Sequence, residues 1–259
     1  MIFVDESIQH PLGFICVGFV YTSEDIAPGV HGALRDAGLE PCVDEYKSGR
    51  RMTGIPHLHV LREGIGRIAV GCRLAVYIAP PSERARLLDP ILEVARSIVQ
   101  ANDLPRPQPL FLDEGITGRS RPDAAWLDVH TGCDSKQVPG IQLADYVAYH
   151  CGYLLKCCIT EQNKPITLDD TPHPLAGETV DLDWLVRTEM RRSFFHEPRD
   201  YDSITGDDWF FNVAGYGAFF SPDFRQKYAK QPRQRSGQCT WAVSGNSLHH
   251  LCVLKCSSA

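Results

Sequence analysis

Two apolar segments separated by a short turn open the chain and constrain its fold most strongly. In the first, MIFVDES, Phe3 and Asp5 share one face while Ile2 and Val4 share the other, which is typical of a strand. The turn signal HPLG follows, and then GFICVGFVYT forms a nearly continuous run of β-branched and aromatic residues. Such a run indicates a strand buried on both faces. The sequence therefore predicts a hairpin in the middle of a β-sheet.

Strand and helix patterns alternate after this hairpin. Apolar residues recur at helical spacing in residues 24–38, 82–101 and 138–156, and a short helical candidate lies around residues 58–61. The alternation in VGCRLAVYIA and the short apolar run PLFLDEG predict two further strands. Elements in this order predict an α/β fold, with a mixed β-sheet flanked by helices.

The periodic pattern weakens in the last third of the chain. We expect one domain over residues 1–158 and a helical or irregular extension over residues 159–259 that packs on it. An amphipathic helix is predicted in DLDWLVRTEMRRSFF, and the Gln, Arg and Ser content predicts that residues 229–259 are flexible. The extension would shape a substrate groove or mediate self-association into a homo-oligomer.

Composition narrows the classes of protein. A hydrophobic fraction of 43% predicts a real core, and no apolar run reaches the roughly 18 residues that a membrane span needs. Asp5 and Glu6 interrupt the N-terminal run too early for a signal peptide, so we expect a cytoplasmic protein with reduced thiols despite its ten cysteines. A net charge of -6 argues against a protein that coats nucleic acid, but an acidic metal site is compatible with a nuclease.

Four acidic residues stand at or near the ends of apolar segments: Asp5, Glu45, Asp113 and Asp145. A carboxylate beside a core is costly unless a partner holds it ionised, and hard divalent cations prefer oxygen ligands. Hydrolysis of a phosphodiester by two metal ions needs several carboxylates that hold the ions roughly 3.5–4 Å apart. The alternative is that each acid is a surface residue at the end of an element. Alanines at 144 and 148 would let the helix that carries Asp145 approach a sheet closely.

The motifs VDES, EYK and LFLDE, and the run D-S-x-x-x-x-G-I-Q-L-A-D, occur in this order within residues 1–158. Together they resemble the domain-of-unknown-function 3800 (DUF3800) family, which is similar to a branch of the ribonuclease H-like superfamily. The most specific part is Asp134-Ser135 followed by Gln142-Leu143-Ala144-Asp145. The resemblance implies a ribonuclease H-like fold with Mg²⁺ or Mn²⁺ as cofactor, bound by four ligands: Asp5, Glu45, Asp113 and Asp145.

The resemblance also implies supporting roles for neighbouring residues. Lys47, beside Glu45, would contact the scissile phosphate or else form an ordinary ion pair. Asp134 would be a further metal ligand or a cap at the start of the last helix, and Gln142 would orient Asp145.

The chain departs from the family pattern in one place and leaves two assignments open. Ile8 stands where the family often has glycine. The adjacent Asp44 and Glu114 are alternatives to Glu45 and Asp113, because alternation alone does not choose between neighbours.

These features lead to one main functional hypothesis and two alternatives. The main hypothesis is a metal-dependent nuclease or phosphodiesterase with a nucleic acid as substrate and no membrane partner. The first alternative is a non-catalytic binding or regulatory module that keeps the fold. The second is a phosphatase with Asp5 as nucleophile, although the acid expected two residues later is replaced by Ser7.

Overall fold

The computed structural model of the chain describes residues 1–49, 57–118, 123–168, 177–191, 193–195, 212–213, 217–229, 240–243 and 252–255. Its strands in chain order are β1 (Ile2–Gln9), β2 (Phe14–Tyr21), β3 (Arg73–Ala79), β4 (Gln108–Asp113), β5 (Leu127–Cys133), β6 (Pro165–Thr167), β7 (Thr179–Asp181), β8 (Asn212–Val213), β9 (Ala218–Phe220), β10 (Thr240–Val243) and β11 (Cys252–Lys255). Its α-helices are α1 (Ala27–Asp36), α2 (Leu58–Gly71), α3 (Leu88–Ala101), α4 (Gly140–Thr160), α5 (Leu182–Met190) and α6 (Pro222–Ala229).

A six-stranded mixed sheet has the order β5-β4-β1-β2-β3-β9. Strands β1, β2 and β3 form an antiparallel meander, whereas β4 runs parallel to β1, and β5 runs parallel to β4. The hairpin of β1 and β2 lies in the middle of this sheet, which confirms the prediction from the two opening segments. The fold is α/β, with a mixed sheet flanked by helices, as expected, and this arrangement is consistent with a ribonuclease H-like fold.

Helices cover both faces of the sheet because β1 and β2 are apolar on both sides. Phe3 and Cys16 pack in a cluster with α1, α2 and α4, whereas Ile2 and Val4 pack in a second cluster with α3. The alternation of β1 therefore holds in the structure. It places Asp5 on the face that α4 covers.

Helix α4 packs very closely on β2 at Gly18. A Cβ atom at this position would lie 2.6 Å from the Ala144 carbonyl oxygen and 2.7 Å from the Ala148 amide nitrogen. Gly18 is the partner of Asp5 in the β1–β2 register. Because Ala144 and Ala148 flank Asp145, the close approach expected from these small residues brings an acid of α4 toward the acid of β1.

Several boundaries differ from the sequence expectations. The helix expected around residues 58–61 continues to Gly71, so β3 begins only at Arg73. A 3₁₀ segment, Pro81–Arg86, precedes α3. Strand β5 was not predicted, because its segment LDVHTGC is mostly exposed at the edge of the sheet and only Leu127 and Val129 alternate with polar residues.

Parts of the extension join the domain. Strand β9 pairs with β3, and Phe220 and Phe224 are buried in the same cluster as α4. Strands β10 and β11 pair with each other, and β11 pairs with β8. The flexibility predicted for residues 229–259 otherwise concerns residues outside those that the structure describes. None of the helices in the described ranges combines the length and apolarity needed to span a bilayer.

The close approach at Gly18 predicts that a larger residue at this position destabilises the fold. Replacing Gly18→Ala should lower the free energy of unfolding by about 1–3 kcal/mol, because the methyl group fits only if α4 moves away. Urea denaturation followed by far-UV circular dichroism measures this loss. The matched control is Gly32→Ala in α1, where an added Cβ meets nothing within 4 Å. This control should raise the free energy of unfolding by about 0.5–1 kcal/mol, and a similar gain at Gly18 would contradict the close packing.

Candidate metal centre

Two of the predicted acids lie side by side where the pairing of the parallel strands β1 and β4 stops: Asp113 ends β4, whereas Asp5 lies in the middle of β1 and not at a strand end as expected, because β1 continues to Gln9. The pairing of β1 with β4 runs to Val4 opposite Leu112, so Asp5 and Asp113 occupy the next positions. Asp5 is 5% exposed and Asp113 is 9% exposed. Short backbone contacts fix both carboxylates, because the Glu6 amide donates to Asp5 Oδ1 at 2.7 Å and the Gly115 amide donates to Asp113 Oδ2 at 3.1 Å.

Glu6 joins this pair. One carboxylate oxygen each from Asp5, Glu6 and Asp113 lies within 4.8 Å of the other two, and among the described residues this is the group of acids with the spacing of a metal site. The sequence placed Glu6 in the VDES motif but gave it no ligand role. Alternation along β1 predicts the opposite face for its side chain, so nothing in the local pattern indicated this convergence.

The third predicted acid comes from α4. Asp145 is buried, and its Oδ2 accepts a hydrogen bond from the Ser48 amide at 2.7 Å. One helical turn earlier, Gln142 Oε1 accepts from the Tyr46 amide at 2.8 Å, and Gln142 Nε2 donates to the Ser135 carbonyl at 2.9 Å. Gln142 therefore anchors the segment after Glu45 instead of contacting Asp145 as expected.

These side chains share one cleft with a volume of about 460 Å³. The cleft contains a lysine and an arginine as well as the acids. Its lining residues are Asp5, Glu6, Ile8, Lys47, Gly49, Arg84, Asp113 and Asp145. Arg84, which comes from the 3₁₀ segment after β3, carried no signal in the sequence.

Glu45 lies next to this cleft but does not line it. The Ser135 hydroxyl donates a hydrogen bond to Glu45 Oε2, and the same oxygen lies 3.6 Å from Lys47 Nζ. Of the two interpretations of Lys47, the ion pair with Glu45 is therefore present, while the amine also faces the cleft. The alternative acids, Asp44 and Glu114, do not line it.

Asp134 is exposed and is not among the residues that line the cleft. Its Oδ1 accepts from the Lys136 amide at 2.9 Å, and its carbonyl accepts from the amides of Gln137 and Val138. This geometry is that of a residue that closes the turn before α4. Asp134 is therefore not the cap expected at the start of α4, because the N-cap residue of that helix is Pro139 and no side chain bonds there; its role as a further metal ligand stays a prediction.

The acids of the cleft repel one another. Burial first, and then Asp113 and Asp145, raise the pKa of Asp5 to about 9, although Lys47 acts in the opposite direction. Burial also raises the pKa of Asp145 to about 6, against the hydrogen bond from the Ser48 amide. Burial would lower the pKa of Lys47, but the surrounding carboxylates, Asp5 first, outweigh it and raise this pKa. A cation in the cleft would relieve this repulsion.

Comparison with known proteins returned no relative. No family model matches the chain, and no curated protein or solved structure matches it. The resemblance to the domain-of-unknown-function 3800 family therefore stays a prediction from the quoted motifs.

The raised pKa of Asp5 predicts how stability depends on pH in the absence of metal. An unfolded Asp titrates near 3.8, whereas folded Asp5 titrates near 9. Folding therefore favours the protonated form, so the free energy of unfolding that Asp5 contributes is intact below pH 4 and decreases as pH rises toward 9. Lys47 does not interfere, because its pKa is raised above 10.5 and its contribution is lost only at still higher pH.

Asp5→Asn should thus be more stable than the unchanged protein by about 2–4 kcal/mol at pH 8 in a chelating buffer. This difference should shrink toward pH 5, because the proton that Asp5 takes up on folding is less costly at lower pH. Urea denaturation at pH 5, 6.5 and 8 measures it. Asp128→Asn on the exposed edge strand β5 is the control and should show no comparable pH-dependent gain. A gain at Asp5 that is equal at all three pH values would contradict the assigned pKa.

Proposed function

We propose that this protein is a metal-dependent phosphodiesterase that hydrolyses a nucleic acid. The observation that supports this most is the convergence of Asp5, Asp113 and Asp145 on one cleft, from two neighbouring strands and a helix packed against them. Rigid elements of this kind hold ligands in a fixed arrangement. The ribonuclease H-like fold and the motif resemblance, which implies the same residues, add to this support.

The donor set fits a hard divalent cation. All three side chains offer carboxylate oxygens, which Mg²⁺ and Mn²⁺ prefer. Among the residues that the structure describes, none of these three carboxylates forms an ion pair with a lysine or arginine, although all three are buried. Buried carboxylates without a counter-charge are costly, so the cleft is suited to a cation that supplies it.

Asp5, Asp113 and Asp145 would hold Mg²⁺ or Mn²⁺, whereas Glu45, the further ligand that the resemblance implies, does not line the cleft. The bound metal would supply Lewis-acid polarisation of a phosphate oxygen and lower the pKa of water. Without the cation, the four acids that line the cleft (Asp5, Glu6, Asp113 and Asp145) outnumber Lys47 and Arg84. The cleft would then repel a polyanion. We therefore expect both substrate binding and catalysis to depend on the cation.

The basic side chains would bind the phosphate backbone. Lys47 is half-buried in the cleft, and its raised pKa keeps the amine charged at neutral pH. Glu45 lies beside this amine and is itself held by Ser135, so the lysine is oriented before substrate arrives. Arg84 has a half-exposed guanidinium that could contact a neighbouring phosphate through two donors.

We also place this activity in the cytoplasm. Among the cysteines that the structure describes, six are free thiols: Cys16, Cys42, Cys72, Cys133, Cys151 and Cys157. Unpaired cysteines in this number are typical of a reducing compartment. Self-association through the extension stays a prediction from the sequence.

Loss of the acids should abolish cleavage. With Mn²⁺ or Mg²⁺ and a panel of labelled single- and double-stranded DNA and RNA, Asp5→Asn and Asp145→Asn should each reduce the cleavage rate about 100-fold or more, because each removes part of the preorganised charge. Circular dichroism would verify that both variants remain folded. The control is Asp128→Asn, an exposed acid outside the cleft, which should cleave at the unchanged rate.

Full activity in both cleft variants would contradict the proposal. Cation binding by the unchanged protein without cleavage of any substrate in the panel would instead identify a non-catalytic module. Trapping of a phosphorylated Asp5 would identify a phosphatase.

Lys47 should act on the substrate and not on the cation. Lys47→Met keeps the apolar stem but removes the charge, so cleavage should fall about 100-fold while Mn²⁺ affinity stays equal or increases. Cleavage rates and calorimetric titration with Mn²⁺ measure the two effects separately. Lys156→Met, at an exposed position on α4, is the matched control. Unchanged cleavage in Lys47→Met would mean that the amine serves only as the ion-pair partner of Glu45.

A further inference from the structure

Glu6 occupies a position where strand β1 has lost one neighbour. The pairing of β1 with β4 stops at Val4, whereas its pairing with β2 continues to Gln9. After Asp113 the chain turns away, with the Ile116 amide donating to the Asp113 carbonyl. On this side of β1 the space beside Glu6 is therefore not filled by a strand, and its carboxylate reaches the same group of oxygens as Asp5 and Asp113.

The Glu6 carboxylate is buried but not fully paired. Its side chain is only 7% exposed, and it lines the cleft. Oε2 is buried and has no hydrogen-bond partner among the residues that the structure describes. Oε1 lies 3.6 Å from the Arg84 guanidinium, which is longer than the roughly 2.7–2.9 Å of a charge-assisted hydrogen bond. A buried carboxylate oxygen in this condition is costly unless a ligand supplies the missing contact.

Gly115 leaves the space beside this carboxylate open. A Cβ atom at position 115 would lie 2.9 Å from Glu6 Oε1 and 3.4 Å from both Glu6 Oε2 and Asp113 Oδ2. Any other residue would crowd the two carboxylates at once. The glycine therefore keeps Glu6 and Asp113 accessible to a shared ligand.

Glu45, by comparison, is already engaged. Its Oε2 accepts from the Ser135 hydroxyl and lies near Lys47, and Glu45 is absent from both the close group of oxygens and the cleft lining. The acid that the motif resemblance names as the fourth ligand is thus farther from the site than the neighbour of Asp5.

We propose that Glu6 is a direct ligand of the divalent cation and completes a three-carboxylate site with Asp5 and Asp113, while Glu45 serves to hold Lys47. This inference rests on the proposed function only in its premise that the cleft binds a divalent cation. Arg84 balances part of the Glu6 charge in the metal-free protein and competes with the cation for it.

Calorimetric titration of the full chain with Mn²⁺ tests this ligand set without reference to catalysis. Glu6→Gln keeps the size of the side chain but removes its charge, so Mn²⁺ affinity should fall about tenfold or more, as for loss of a metal-site partner. Glu45→Gln should cause a smaller loss. Asp128→Asn is the control for removal of an acid elsewhere, and urea denaturation verifies that each variant is folded.

A second variant keeps Glu6 in place. Arg84→Ala removes an exposed guanidinium and should strengthen Mn²⁺ binding about two- to fivefold, the range expected for releasing an exposed ion pair. Unchanged or weaker binding would contradict competition between Arg84 and the cation, and would show that Glu6 serves Arg84 instead.

The outcomes separate this inference from the proposed function. If Glu6→Gln binds Mn²⁺ as tightly as the unchanged protein while Asp5→Asn does not, the role of Glu6 is wrong and the metal-dependent function stands. If Glu45→Gln loses more affinity than Glu6→Gln, the ligand set implied by the resemblance is correct and ours is wrong. If the unchanged protein binds no Mn²⁺, both proposals fail together.

Discussion

The contact between α4 and the sheet at Gly18 is the constraint on which the candidate site depends. Gly18 is paired with Asp5, and the absence of a side chain there lets the backbone of α4 come within contact distance of β2. Asp145 lies between the two alanines that make this contact. Without the close approach, Asp145 would be held farther from Asp5 and Asp113. The acids therefore come together because Gly18 has no side chain to keep α4 away, although their carboxylates repel one another.

Helix α4 and the turn before it also hold residues 45–48 in place. Asp134 closes the turn before the helix, Ser135 bonds Glu45, and Gln142 bonds the amide of Tyr46. Asp145 then bonds the amide of Ser48. The run D-S-x-x-x-x-G-I-Q-L-A-D, singled out in the sequence, therefore has a physical meaning: its polar members hold a distant loop against the helix.

Part of this site could be predicted from sequence, because a strand has a strict period of two. That period places Asp5 with Phe3 on the core face and puts Asp113 at the end of an apolar run. The small residues around Asp145 indicated a close helix. Glu6 could not be predicted, since its position depends on where β4 leaves β1, which is a tertiary fact. The same holds for Arg84, whose 3₁₀ segment has no periodic signal, and for β5, whose exposed edge position leaves only a short apolar alternation.

The anchoring of residues 46 and 48 has a consequence for how the cleft could change. Both are held through their backbone amides, so the path of this segment does not require particular side chains at the positions between and before them. The position of the loop thus depends on its backbone, whereas the charge near the cleft depends on its side chains. An exchange at position 47 would alter the charge that faces the cleft while the loop keeps its path, so this position is suited to changing what the cleft accepts.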